Sequence, residues 1–274
     1  MATTIDLHTI EKGHGPVLVL IPGWSQSAAG FHHQIDGLSD RYRVIAVDLR
    51  GHGGSPKPPS GYRIARLAAD LEDFLSRRGL TSVVLAGHSM GASVIWSYLE
   101  QFGAARVAKL IFIDQAPMVT NGIGLSGRAL LDAGCAFTPE TLYATANAVA
   151  ADQAGVVDGF RAAFFSPQID AATIAFTKGE TLKMPAEYAA RLLIDHGSQD
   201  WRDVIRHVVA PLKRPTLVIG GALATLFPPE AQAWIAAQIP GATLAILSAE
   251  ERGSHFMFLE NPTRFNALVR DFVG

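Results

Sequence analysis

The sequence predicts an α/β fold: a mostly parallel sheet with helices on both faces. Three observations point there. Short β-rich runs alternate with helical patterns. The strands are apolar at successive positions, so each faces a core on both sides. The rhythm lapses in the middle of the chain and then resumes.

In order, Val17–Ile21, Arg43–Val47 and residues 82–86 and 110–113 read as buried strands. Between them, residues 64–78 repeat Leu67, Leu71, Phe74 and Leu75 at helical spacing, and residues 91–102 form a second helical pattern. From about Pro117 to Ala210 the chain becomes Ala-rich, with short helical patterns at 128–135, 139–151, 154–165, 185–195 and 201–208. Gly122, Pro167, Pro185 and Gly197 break them, and no strand-length β-branched run occurs. This stretch reads as a helical insert, and most of Phe137, Phe160, Phe164, Phe165 and Phe176 are expected simply to pack it. After Pro215 come a strand at 216–219, a helix at 229–239, the strand Thr243–Leu247, a loop holding His255 and a closing helix Pro262–Val273. Proline in the first turn suits both helix starts. The expected organisation is a core of residues 1–116 and 211–274, interrupted by an insert at 117–210.

With 274 residues, 49% of them hydrophobic and 18% charged, the chain has apolar material for one large core and an appended element. A net charge of −2 offers no electrostatic footprint for nucleic acid or an anionic membrane. The longest apolar run, Val17–Ile21, is far too short to span a bilayer, and Met1 to Asp6 lack the pattern of a secretory signal. Cys135 is the sole cysteine, which excludes an internal disulfide and a cysteine-built metal site and makes the cytoplasm the expected compartment. No cofactor or metal is expected.

Gly87-His88-Ser89-Met90-Gly91 is the decisive segment. It lies between a strand and a helical pattern, the context a G-x-S-x-G match needs. A sharp turn there would hold Ser89 in strained backbone geometry, with the flanking glycines leaving room for neighbouring chain. The serine would then project from the C-terminal end of a strand at a helix N-terminus, where developing negative charge is stabilised. The bland alternative is a structural Gly-Ser turn.

With this segment the chain resembles the α/β-hydrolase family over nearly its full length. Leu20-Ile21-Pro22-Gly23-Trp24 ends a buried strand where the family usually has His-Gly. Asp48-Leu49-Arg50-Gly51-His52-Gly53-Gly54-Ser55 resembles its Asp-x-x-Gly-x-Gly-x-Ser segment. Ser254-His255-Phe256, followed by Glu260-Asn261-Pro262, is similar to its His-bearing loop. The resemblance implies an eight-stranded, mostly parallel sheet with a helical cap inserted after the sixth strand.

A serine hydroxyl needs a base, and nine histidines compete for the role. His8 and His14 lie near the N-terminus, His32 and His33 in an expected surface helix, and His52 in a glycine turn. His88 is expected to point away beside Ser89, and His196 and His207 fall in the insert. His255 follows the last strand, which agrees with the order nucleophile, acid, histidine. The resemblance also implies an oxyanion hole made by the backbone N–H groups of Met90 and Trp24. Ser25 and Gln26 could add polar contacts.

The third member departs from the family's commonest pattern. Most relatives carry an acid after the strand at 216–219, in a Gly-x-x-Asp segment. Here that position aligns with Ala224, and the next carboxylate is Glu230, inside a helix. Asp114, at the end of the strand 110–113, is the best substitute, since some haloalkane dehalogenases and zearalenone-type lactone hydrolases take their acid from that strand end. Three alternatives stay open: Asp114 only caps its strand, Glu250 or Glu251 serves, or Ala224 replaces an original acid.

The expected activity is hydrolysis of a small to medium apolar ester or lactone through an acyl-enzyme on Ser89, with His255 as base and Asp114 orienting it. Serine at this position argues against dehalogenase and epoxide-hydrolase chemistry, which needs a carboxylate nucleophile. Carbon–carbon bond hydrolysis and cofactor-free haloperoxidase or perhydrolase activity share the triad and remain alternatives. A non-catalytic ligand receptor is a further one.

Overall fold

The computed structural model describes residues 4–274. Seven strands form one sheet among them: β1 (Thr9–Lys12), β2 (Val17–Ile21), β3 (Arg43–Val47), β4 (Val83–His88), β5 (Val107–Ile113), β6 (Thr216–Gly221) and β7 (Thr243–Leu247). The spatial order is β1-β3-β2-β4-β5-β6-β7. β1 pairs antiparallel with β3 and every other pairing is parallel. The α/β class and the mostly parallel sheet agree with the sequence reading. The count of eight does not, because the extended stretch before Thr9 adds no further strand and instead buries Ile5 and Leu7 against the core. The short, polar β1 escaped the sequence reading, having only Ile10 as a strongly apolar residue.

Strand alternation divides the core into two layers. Val19, Ile21, Ile45, Val47, Leu85, Leu110 and Phe112 face one layer with α2 (Ile64–Arg77) and α3 (Met90–Phe102). Leu18, Leu20, Val44, Ala46, Val84, Ile111 and Ile113 face the other, with α1 (His32–Leu38) and, near the C-terminus, the helix Pro262–Val273. Being buried on both faces is why these strands read as unbroken apolar runs.

Between β5 and β6 the chain adds no strand to the sheet. It holds α4 (Gly127–Ala133), α5 (Pro139–Gly159), α6 (Arg161–Phe164), α7 (Ala171–Thr181), α8 (Ala186–Gly197) and α9 (Arg202–Val204), which runs on into a π-helical turn at Ile205–Val209. The two helical patterns expected at 139–151 and 154–165 join into α5, which is kinked at Asp152 (φ −147°). α7 lies outside the five expected helical patterns. It is begun by Asp170, whose side chain accepts from the Thr173 N–H as an N-cap. Beyond β6 lie α10 (Pro229–Gln238), α11 (Met257–Glu260) and α12 (Pro262–Val273).

The segment between β5 and β6 is tied down over the C-terminal edge of the sheet. Trp24 Nε1–H donates to Ala189 O (2.8 Å), Ile64 N–H to the Asp195 carboxylate (2.8 Å), and Phe256 N–H to Phe164 O (3.2 Å). Glu260 accepts from Ser166 N–H (2.9 Å) and Ser254 Oγ (2.6 Å), linking this segment to the loop that holds His255.

Candidate active site

The turn from β4 into α3 places Ser89 at φ 51°, ψ −127°, a conformation non-glycine residues rarely adopt. Its N–H extends the sheet ladder by donating to Ile113 O at 2.8 Å. The flanking glycines follow from crowding. A Cβ at Gly87 would lie 2.5 Å from the Gly91 backbone, and one at Gly91 would lie 2.3 Å from Ile21 O. Gly23 lets the loop after β2 approach as closely, since a Cβ there would stand 3.0 Å from Ser89 Cβ. Asp114 follows β5 at φ 45°, a left-handed conformation Asp tolerates, and its N–H donates to Ile219 O at 2.8 Å. Two parallel strands thus end together, one on a serine and the other on a carboxylate.

Asp114 and His255 are in contact. His255 Nδ1 lies 2.6 Å from Asp114 Oδ2, with the imidazole 3% exposed and the carboxylate fully buried. Glu250 and Glu251 do not face this imidazole. Glu250 accepts from Ser248 Oγ (2.7 Å), and Glu251 from Ser248 N–H (3.0 Å) and Arg264 (2.8 Å). Ala224 is buried in the turn after β6, where Gly221 packs directly on Gly253 of the His255 loop.

Burial sets the electrostatics. Phe164 stacks on the His255 ring with centroids 5.6 Å apart, and Phe227 lies at 5.8 Å. Removal from water pushes the imidazole down to about 3, so it stands neutral at neutral pH, in the form that has a free ring nitrogen. The same burial raises Asp114 well above the ordinary carboxylate range, offset in part by the Gly221 backbone.

One cavity of about 60 Å3 is lined by Ser89 and His255, together with Gly23, Trp24, His88 and Phe164. The Trp24 and Met90 backbone N–H groups find no partner among the described residues, and Met90 stands in the first turn of α3, where no intrahelical acceptor exists. Ser25 contributes no free donor: its N–H goes to His52 Nε2 (3.1 Å) and its hydroxyl to Met184 Sδ (3.4 Å). Gln26 does line the cavity.

Two histidines that the sequence reading set aside have structural tasks here. His88 does not point away. Its ring packs 4.5 Å from that of His255, and its Nε2–H donates to His255 O at 2.9 Å, steadying the loop. His52 is fully buried, and by accepting from Ser25 N–H it holds Ser25 at φ 55° beside Trp24. His196, from the end of α8, lines the cavity as well. No local sequence signal marks these positions, because the folded chain alone brings them together.

A family model of the alpha/beta hydrolase fold matches residues 16–262. A putative non-heme chloroperoxidase from Synechocystis sp. is 36% identical over 117 residues, 42% of this chain and 42% of that protein. A soluble epoxide hydrolase from Corynebacterium sp. is 35% identical over 111 residues, 40% of this chain and 38% of that protein. The chain therefore spans about two fifths of the length of these curated relatives. An esterase from Exiguobacterium antarcticum superposes with a TM-score of 0.87 at 25% identity, covering 98% of this chain and 96% of that structure.

Proposed function

Because the chain belongs to the alpha/beta hydrolase fold family, we propose that it is a serine hydrolase cleaving a carboxylic ester or lactone. The observation that carries this reading is the 2.6 Å contact between His255 Nδ1 and Asp114 Oδ2, in the wall of the cavity that Ser89 also lines. The Ser89 hydroxyl attacks the carbonyl while His255 takes its proton. Asp114 holds the imidazole tautomer and supports its charge once protonated. The N–H groups of Trp24 and Met90 receive the oxyanion, each worth about 3–4 kcal/mol in such sites. His255 returns its proton to the leaving oxygen, and water then cleaves the acyl-enzyme by the same steps in reverse roles. Residues 117–210 act as a cap, supplying the aromatic wall of Phe137, Phe160 and Phe164 that keeps the site dry.

The small, mostly apolar cavity favours small to medium apolar acyl groups. Serine in place of a carboxylate argues against an alkyl-ester intermediate of the kind epoxide opening requires. A perhydrolase or haloperoxidase reading, in which hydrogen peroxide replaces water on the acyl-enzyme, is favoured by the likeness to the Synechocystis protein.

The test is a fluorophosphonate probe followed by a panel of p-nitrophenyl esters and lactones, each assayed with and without hydrogen peroxide and acetate. Stoichiometric labelling at Ser89 with turnover of short esters is expected. An unlabelled Ser89 would point to the receptor reading, and peracid formation outpacing ester hydrolysis to the perhydrolase.

The lowered His255 pKa carries a further expectation. An imidazole that stays neutral below its usual 6.5 stays competent as a base there, so kcat/KM should hold level through that value on acidification. An acid limb centred at or above 6.5 would show that Asp114 outweighs burial in setting the pKa.

A further inference from the structure

The cavity holds a polar trio that the proposed chemistry does not use: Gln26 from the loop after β2, Thr181 at the end of α7 and His196 at the end of α8. Thr181 is satisfied, since its hydroxyl donates to Thr177 O (2.9 Å) and accepts from Gln26 Nε2 (2.5 Å). The other two are not. Gln26 Oε1 has no partner among the described residues, and neither ring nitrogen of His196 has one. His196 is nevertheless only 3% exposed. Buried polar groups are almost always hydrogen-bonded, so an unbonded imidazole in the wall of a substrate cavity points to a partner supplied by the ligand.

Resting on the ester or lactone reading above, we propose that His196 and Gln26 form a recognition subsite for an uncharged oxygen function, a carbonyl or hydroxyl, that the substrate carries away from its scissile bond. The chemistry of the wall defines that class. Burial pushes the His196 imidazole down to about 3, so it stays neutral; Nδ1 is fully buried, and Nε2, set by the tautomer, is the nitrogen that can donate to or accept from a ligand. Gln26 Oε1 adds an acceptor. No lysine or arginine lines the cavity among the described residues, so a carboxylate there would meet no counter-charge. A site built to hydrogen-bond a substrate group discriminates strongly against analogues that lack it, because its own polar groups are then left unpaired.

The experiment uses p-nitrophenyl esters of matched acyl length in three series: plain alkyl, alkyl bearing one keto or hydroxyl group at carbons three to six, and carboxylate-terminated. At least one oxygenated ester should exceed its alkyl match in kcat/KM by about tenfold or more, with the carboxylate series disfavoured. His196→Leu should level that preference and His196→Gln should keep part of it, because Gln retains a donor and an acceptor. If His196→Leu fails to fold, Gln26→Leu carries the same expectation. A wild-type enzyme with no preference for any oxygenated ester, or a His196→Leu enzyme with the preference intact, overturns the proposal. Calorimetric titration of the same esters into Ser89→Ala separates this failure from that of the ester reading. Tighter binding of an oxygenated ester there, lost on adding His196→Leu, supports the subsite even where the wild type hydrolyses no ester. Equal binding of matched pairs overturns it.

Discussion

Ser89→Ala is expected to reduce kcat on p-nitrophenyl esters by about 10^6-fold, the scale seen when a serine hydrolase loses its nucleophile. The variant should fold normally. Ser89 pays no part of its backbone strain through its hydroxyl, and alanine at φ 51° meets the same steric conditions as serine. The proposed oxyanion donors, the Trp24 and Met90 N–H groups, and the His255–Asp114 pair would remain in place, so some acceleration over water is expected to persist. Two readouts check the result: loss of the burst of p-nitrophenol in pre-steady-state kinetics, and loss of fluorophosphonate mass at the Ser89 peptide. A residual rate within about tenfold of the wild type would remove Ser89 from the chemistry altogether.

Asp114→Asn is expected to lower kcat by about 10^4-fold while leaving the fold intact. The exchange is isosteric, and asparagine tolerates φ 45° at least as well as aspartate, so the backbone after β5 has no reason to move. What changes is the partner of His255 Nδ1. An amide can present its N–H groups and favour the wrong tautomer, and it has no charge to set against an imidazolium buried at 3% exposure. Glu250→Gln and Glu251→Gln provide the contrast. Both carboxylates bond within the turn around Ser248 and to Arg264, so their loss should alter kcat by no more than about threefold. Parallel kcat measurements on the three variants, with thermal unfolding as the check on folding, decide the matter. Near-full activity in Asp114→Asn combined with a collapse in Glu250→Gln or Glu251→Gln would reverse the assignment of the acid.

The sequence by itself determined the class of fold and marked Ser89 as the centre of the candidate site. Strands buried on both faces are apolar at nearly every position, so β2 and β3 are legible to the residue as Val17–Ile21 and Arg43–Val47; β7, half-exposed at the edge of the sheet, is equally legible as Thr243–Leu247 from its run of apolar residues. The turn at Ser89 is legible for a related reason: its geometry admits only glycine at positions 87 and 91, and that leaves a local signature. Asp114 could be nominated because the usual acid position holds Ala224, yet Glu250 and Glu251 stood as rivals, since spacing along a chain does not say which carboxylate a histidine meets. Only the tertiary structure decided that, by ending β5 beside β6 and the His255 loop with the two groups 2.6 Å apart. It also corrected the strand number from eight to seven among the described residues, exposed the edge strand β1, and turned His88 inward against His255. The unpaired His196 belongs to the same category. A histidine near the end of an insert helix carries no local mark of its surroundings. Its burial and its lack of a partner arise from contacts between segments far apart in the chain, which no periodicity encodes.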